Sequence, residues 1–176
     1  CALGWGCDFV GGRRLDRYGR ALAHLHDESG TWIQGEMLCR GLARVYTFAD
    51  NRAQITEMLE AEAEARAGPR GVWALEEFRV IDVPGTVARI GSYQVVEGRV
   101  LAAAIVGRRG YLNFGADYRD DFTISIAPRD VTTFRRAGVD LLAFEGRRVR
   151  VRGWLKSLNG PIIDVTHPEQ IEVLDD

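Results

Sequence analysis

Arg147-Arg148-Val149-Arg150-Val151-Arg152-Gly153-Trp154-Leu155 alternates guanidinium and valine side chains, and Asn159-Gly160 follows four residues later. Period-two alternation over this length is the pattern of a β-strand, and Asn-Gly is a tight hairpin signal. The chain should therefore turn back and supply closing strand material over 162–173. Working upstream, a short helix is expected over 132–137. Before it, Phe122-Thr123-Ile124-Ser125-Ile126 alternates, with Phe122, Ile124 and Ile126 directed inward and Thr123 and Ser125 outward. Two more strands are expected, a short one over 111–115 and a long apolar one over 95–106.

Five strands with a helix between the third and the fourth is the order of an OB-fold barrel. The pattern changes upstream of it. Glu76-Glu77 and Val83-Pro84-Gly85 mark a linker over 75–86, so two domains are expected, 1–80 and 81–176. In the first, weak strands are read at 3–10 and 20–26 around a Gly11-Gly12 turn. Leu38, Leu42 and Val45 recur at helical spacing, which predicts a helix over 34–45. A second helix is expected to start near Asp50-Asn51, with Asn51 and Gln54 as a capping-box pair, and to end at Gly68-Pro69. Glu57, Glu60, Glu62 and Glu64 are read as its solvated face.

The 176 residues carry 46% hydrophobic and 27% charged side chains and a formal net charge of −2. Residues 1–80 hold ten basic and twelve acidic groups, and residues 81–176 thirteen of each. Neither half is a basic domain, so contact with a nucleic acid has to come from local arginine clusters. Lys156 is the single lysine. No apolar run reaches the roughly 20 residues of a membrane span. The three cysteines Cys1, Cys7 and Cys39 form neither a metal-ligand spacing nor an even disulfide framework, and Cys39 is expected in a core.

Three stretches of the first half carry a resemblance. Asp16-Arg17-Tyr18-Gly19-Arg20-Ala21-Leu22-Ala23 is similar to the D-[KR]-Y-G-R-x-L-A signature of the thermonuclease-like (staphylococcal-nuclease-type) family. The run from Gly30 to Val45, ending Gly41-Leu42-Ala43-Arg44-Val45, resembles that family's next helix. Glu62-Ala63-Glu64-Ala65-Arg66 with Gly71-Val72-Trp73 resembles its last helix and close. The resemblance implies a nuclease barrel of OB type and a calcium-dependent hydrolase acting on phosphodiester bonds of DNA or RNA. It also implies a family whose members are often secreted or periplasmic. Arg20 matches the family's second catalytic arginine, and Arg17 and Tyr18 match positions that contact a nucleotide phosphate.

The family's first strands carry its calcium-binding carboxylates and another catalytic arginine. They would precede Cys1, so the barrel is expected to be incomplete here, with no metal ligands in this chain. Its open edge is a candidate for self-association. The fold class expected for the whole is α+β, mainly β: an incomplete nuclease-like barrel plus a five-stranded OB-like barrel. That second barrel resembles the OB-like domain that follows the nuclease domain in some bacterial members of the family. The resemblance rests on Tyr111–Gly115, Asp121–Ile124, Gly146–Gly153, Asn159–Pro161 and Thr166–Glu172.

Hydrolysis of a phosphodiester needs a guanidinium near the phosphoryl oxygens and a metal to clamp them. Arg20 offers the first without the second. The expected function is thus phosphodiester hydrolysis by a parent protein, with this chain catalytically incomplete. The alternative is a non-catalytic interaction module built of tandem barrels. Arg148, Arg150 and Arg152 would lie on one strand face and could track a phosphate backbone. The competing expectation for that face is an intramolecular or solvated role. His24 and His26 share a strand face without a third metal ligand, and the pair His167 and Asp164 is read as structural.

Overall fold

The computed structural model describes residues 14–16, 18–117 and 121–174, together with the backbone of 6–8. The chain divides into two compact units, Cys1–Arg79 and Val80–Asp176. It is α+β throughout, with a curled, barrel-like sheet of OB type.

In the first unit, strand β1 (Gly6–Asp8) pairs antiparallel with β2 (His24–His26). Strand structure expected over 20–26 is confined to those last three residues, because the preceding chain is a loop bridged at Leu15 and Ala21. Asp27 closes the turn after β2: its Oδ1 accepts from the backbone N–H of Ser29 (2.9 Å) and of Thr31 (2.8 Å), and from the Ser29 hydroxyl. Helix α1 (Ile33–Cys39) is then fastened to the strand by Gln34. The Gln34 amide accepts from the Leu25 N–H and donates to the Ala23 carbonyl, both at 2.9 Å, as a neighbouring strand would.

Helix α1 ends six residues earlier than its apolar spacing predicts. Gly41 has φ +69°, Leu42 N–H bonds back to the Met37 carbonyl, and Gly41 N–H to the Leu38 carbonyl, which is a Schellman stop. Leu42 is left 59% exposed while Val45 is buried, so the two do not share a helical face. A Cβ on Gly41 would sit 2.2 Å from the Arg70 carbonyl oxygen, and one on Gly71 2.2 Å from the Gly41 oxygen. The two backbones touch, joined by Val72 N–H to Gly41 O at 2.8 Å.

Helix α2 (Ile55–Ala67) begins after Gln54, whose φ is +54°, and its N-terminus has no side-chain cap. The expected Asn51–Gln54 capping box is therefore not formed; Asn51 instead bridges to Phe48. The reading of Glu62 as solvated is also corrected. Its side chain has no exposed surface, and its carboxylate accepts from Val45 N–H (2.7 Å) and from Arg66 Nη1 (2.9 Å). Arg66 and Arg44 lie over the buried Trp73 ring at 5.6 and 5.3 Å.

In the second unit, β3 (Ile81–Asp82) runs parallel to β4 (Tyr93–Arg99). The expected single strand over 95–106 is two: β4 pairs with the strand Arg148–Ser157 (β8), and β5 (Ala102–Val106) pairs with β6 (Arg109–Asn113). The chain changes partner at Val100 and Leu101, whose N–H groups bond to Arg147 and Asn113 carbonyls. Then come β7 (Thr123–Ile126), α3 (Pro128–Arg136), β8 (Arg148–Ser157), β9 (Pro161–Val165) and β10 (Ile171–Leu174). β7 pairs with β6 antiparallel and with β9 in parallel, and β9 returns to β8. The sheet thereby curls around a core of Val96, Leu112, Phe122, Ile124, Phe134 and Val151. The closing segment is split in two by a turn at Pro168–Gln170.

Glu62→Ala removes the counter-charge of a buried pair and the acceptor of a buried N–H, which commonly costs about 3–5 kcal/mol. Urea unfolding of the chain should show a loss of that order. Gly41→Ala should also destabilise, by about 1–3 kcal/mol for its left-handed backbone and further for the contact with Arg70. Unchanged unfolding curves would contradict both contacts.

Candidate nucleic-acid site

The loop that carries Tyr18 and Arg20 is built by one carboxylate. Asp16 Oδ1 accepts from the backbone N–H of Tyr18 (2.8 Å) and of Arg20 (2.9 Å), and Oδ2 accepts from Arg20 Nε at 2.6 Å. Gly19, at φ +77°, makes the reversal, and the Asp16 N–H to Arg20 carbonyl bond (2.9 Å) with the Leu15–Ala21 bridge closes the neck. The Arg20 backbone N–H, more than any other contact, holds the Asp16 carboxyl below its ordinary range. The Arg20 side chain and the Tyr18 N–H add to this, against a desolvation that acts the other way.

The loop presents its side chains to solvent. The Arg20 side chain is 75% exposed, and its guanidinium carbon lies 5.3 Å from the centre of the Tyr18 ring. Nε is held by Asp16, so the guanidinium is oriented before any ligand arrives. A cleft of about 600 Å³ adjoins the loop, lined by Asp16, Tyr18, Arg20, Tyr46, Phe48 and Asp50 among others. Tyr46 and Phe48 pack ring to ring at 5.0 Å with a 55° tilt, and both are about half exposed.

Tyr18 and Arg20 are thus brought together, whereas Arg17 lies outside the described residues. Arg148, Arg150 and Arg152 share one face of β8 in the second unit, and that face is filled by carboxylates. Glu97 on β4 takes Arg148 (3.1 Å) and Arg150 (2.6 Å). Glu172 on β10 takes Arg150 (3.1 Å) and Arg152 (2.7 Å). The Arg152 side chain has no exposed surface, so it has none to offer a polymer; Arg150 is largely enclosed between the two carboxylates, and Arg148 keeps about half of its surface. The sequence expectation missed Glu97 and Glu172, whose register opposite Arg150 depends on pairing between distant strands. It also missed Tyr46 and Phe48, although their alternation after the Gly41–Val45 run was visible.

Residues 8–75 match the family model described as staphylococcal nuclease homologue. This segment is similar to that family. An uncharacterized protein of Bacillus anthracis is 38% identical over 68 residues, which cover 38% of this chain and 31% of that protein. The match thus spans about a third of the curated relative. In the matched segment Gly41, Gly71 and Glu62 hold the backbone and core together, while Tyr18 and Arg20 project into solvent.

Among the described residues, no group of three or more His, Cys, Asp or Glu side chains could hold a metal ion. The carboxylates at the cleft are Asp16 and Asp50, and Asp16 already accepts three hydrogen bonds. A calcium ion takes about 6–8 oxygen ligands, which these residues do not provide. Among the described residues no third ligand joins His24 and His26, and His24 Nδ1 accepts from Trp32 Nε1 at 3.1 Å.

A carboxyl with a lowered folded-state pKa contributes order that is present above its unfolded value and lost as pH falls through the folded one. A carbon-detected NMR titration should place the Asp16 midpoint below about 3.9, the ordinary aspartate value. The loop should stay intact from pH 5 upward. A midpoint at or above that value would contradict the hydrogen-bond set.

Proposed function

We propose that the Asp16–Arg20 loop binds the phosphate backbone of DNA or RNA, and that Arg20 is a transition-state arginine in phosphodiester hydrolysis by the protein that carries this chain. The observation that carries the reading is the held guanidinium: Arg20 is fixed through Nε by Asp16, while most of its side chain remains exposed. In the attack on a phosphodiester, negative charge builds on the non-bridging oxygens. A guanidinium already in place stabilises that charge without reorganising at the moment of reaction. It also suits phosphate as a planar fork of donors, with Tyr18 beside it.

Under this reading Arg17 and Tyr18 contact the phosphate of the bound nucleotide, while Tyr46 and Phe48 form the apolar wall of the cleft. The resemblance also implies calcium. Its ligands would have to come from outside the described residues, so the chemistry assigned to this segment is recognition and charge stabilisation. The non-catalytic alternative keeps the same loop as a binding element only.

Cleavage of a fluorescently labelled single-stranded DNA, with calcium and with a chelator, separates the two. Arg20→Ala in the natural protein should lower the calcium-dependent rate by about 10²–10³, as for loss of one charge-stabilising donor, with no change in melting temperature. A rate unaffected by Arg20→Ala would remove the catalytic assignment. No cleavage by the natural protein, together with retained binding, would favour the interaction module.

A further inference from the structure

The sheet of the second unit leaves one long edge. Its strand order runs from β3 at one end to β5 at the other. β3 is two residues long and Pro84 follows it closely, which blunts that end. β5 has five residues, and the stretch from Val100 to Val106 contains neither a charged residue nor a proline. Leu101, Ile105 and Val106 on it are exposed. An edge of this composition pairs with another chain unless charge, proline or a covering element prevents it.

The backbone fixes what can add there. In an antiparallel pair successive residues turn their N–H and C=O alternately toward the partner strand and away from it. Ala103 N–H donates to Glu145 Oε2 at 3.1 Å and not to β6, so Ile105, two residues on, also turns its N–H and C=O to the open side. Glu145 guards the edge at Ala103. Among the described residues no side chain or loop bonds to the Ile105 backbone on that side. A groove of about 320 Å³ opens beside it, lined by Ile105, Val131, Arg135, Val139, Asp140 and Leu141 among others. The unguarded end thus offers one donor, one acceptor and an apolar floor, which together fit another extended strand.

We infer that β5 pairs antiparallel with β5 of a second copy of this chain, about a twofold axis at Ile105. In that register each Ile105 N–H donates to the carbonyl of the partner's Ile105, and Ala104 lies opposite the partner's Val106. Ala103, already served by Glu145, falls opposite the partner's Gly107, outside the pairing. Charge selects this occupant over a foreign strand. Glu145 stands at the Ala103 end of the strip, and the exposed Arg108 stands in the turn between β5 and β6, at the other end. An apolar strip with a carboxylate at one end and a guanidinium at the other is complementary to its own reverse, as a twofold contact requires. Each Glu145 then meets the partner's Arg108, so the pair forms twice. The edge is not the one expected in the nuclease-like barrel, and the inference holds even if the cleavage reading fails.

Sedimentation equilibrium of the full chain at rising protein concentration should show a monomer–dimer equilibrium. Arg108→Glu sets two carboxylates against each other at both ends and should weaken association roughly tenfold or more, because the twofold axis counts the change twice. Adding Glu145→Arg to Arg108→Glu reverses both signs and should restore most of the loss. Ile105→Pro removes an N–H that the ladder with β6 does not use, a place where an edge strand accepts proline. It should abolish the dimer with an unchanged far-ultraviolet circular dichroism spectrum, and the charge variants decide the matter if it fails to fold. A chain that stays monomeric at every concentration overturns the inference. So does a dimer that Arg108→Glu or a folded Ile105→Pro leaves unchanged, or a double charge reversal no tighter than the single one. The edge would then be left to a strand of another protein.

Discussion

Charge removed from water has to meet its counter-charge on a neighbouring element, and each unit is organised around one such demand. In the first, Glu62 has no exposed side-chain surface and joins α2 to the chain that leaves α1, through Val45 N–H and Arg66. In the second, Arg152 is equally enclosed and joins β8 to β10 through Glu172. An uncompensated ion in such a place costs several kcal/mol, whereas a pair with its remaining hydrogen bonds made is close to neutral. These contacts therefore act as conditions on the arrangement: α2 can dock at one rotation, and β10 can pair with β8 at one register.

The same principle operates at the surface with another result. Asp16 is the central acceptor of its loop, and it fixes Arg20 without enclosing it. On β8, Arg150 lies between Glu97 and Glu172 and Arg152 is enclosed with Glu172, while Arg148, paired with Glu97, keeps about half of its surface. A guanidinium is available to a ligand when its carboxylate holds one edge and the rest meets solvent, and unavailable when the fold encloses it. Composition and alternation cannot distinguish these two situations.

Much of the architecture was nonetheless legible. The strand order of the second unit and its intervening helix follow from alternation and turn signals, and the matched segment from its motifs. Local backbone reversals account for the errors. Gly41 stops α1 although Leu42 and Val45 continue its spacing, and the positive φ of Gln54 starts α2 without the cap that Asn51 suggested. Glu62 looked solvated because its neighbours Glu57, Glu60 and Glu64 are; only the long-range approach of Val45 encloses it. Thr123 and Ser125 looked outward, and they are, but a layer from β6 covers them.

The contact between Gly41 and Gly71 bears on how this sequence can diverge. It ties a neck around α2, with the backbone entering and leaving at van der Waals distance. Lengthening a loop already closed at its neck adds little entropy, about 0.6 kcal/mol per doubling. Insertions and deletions between the two glycines are therefore cheap so long as Glu62 still reaches Val45. The glycines themselves allow no such latitude: neither can acquire a side chain to accommodate a change in the other, because each meets backbone. Length should drift in this segment while its two ends stay fixed.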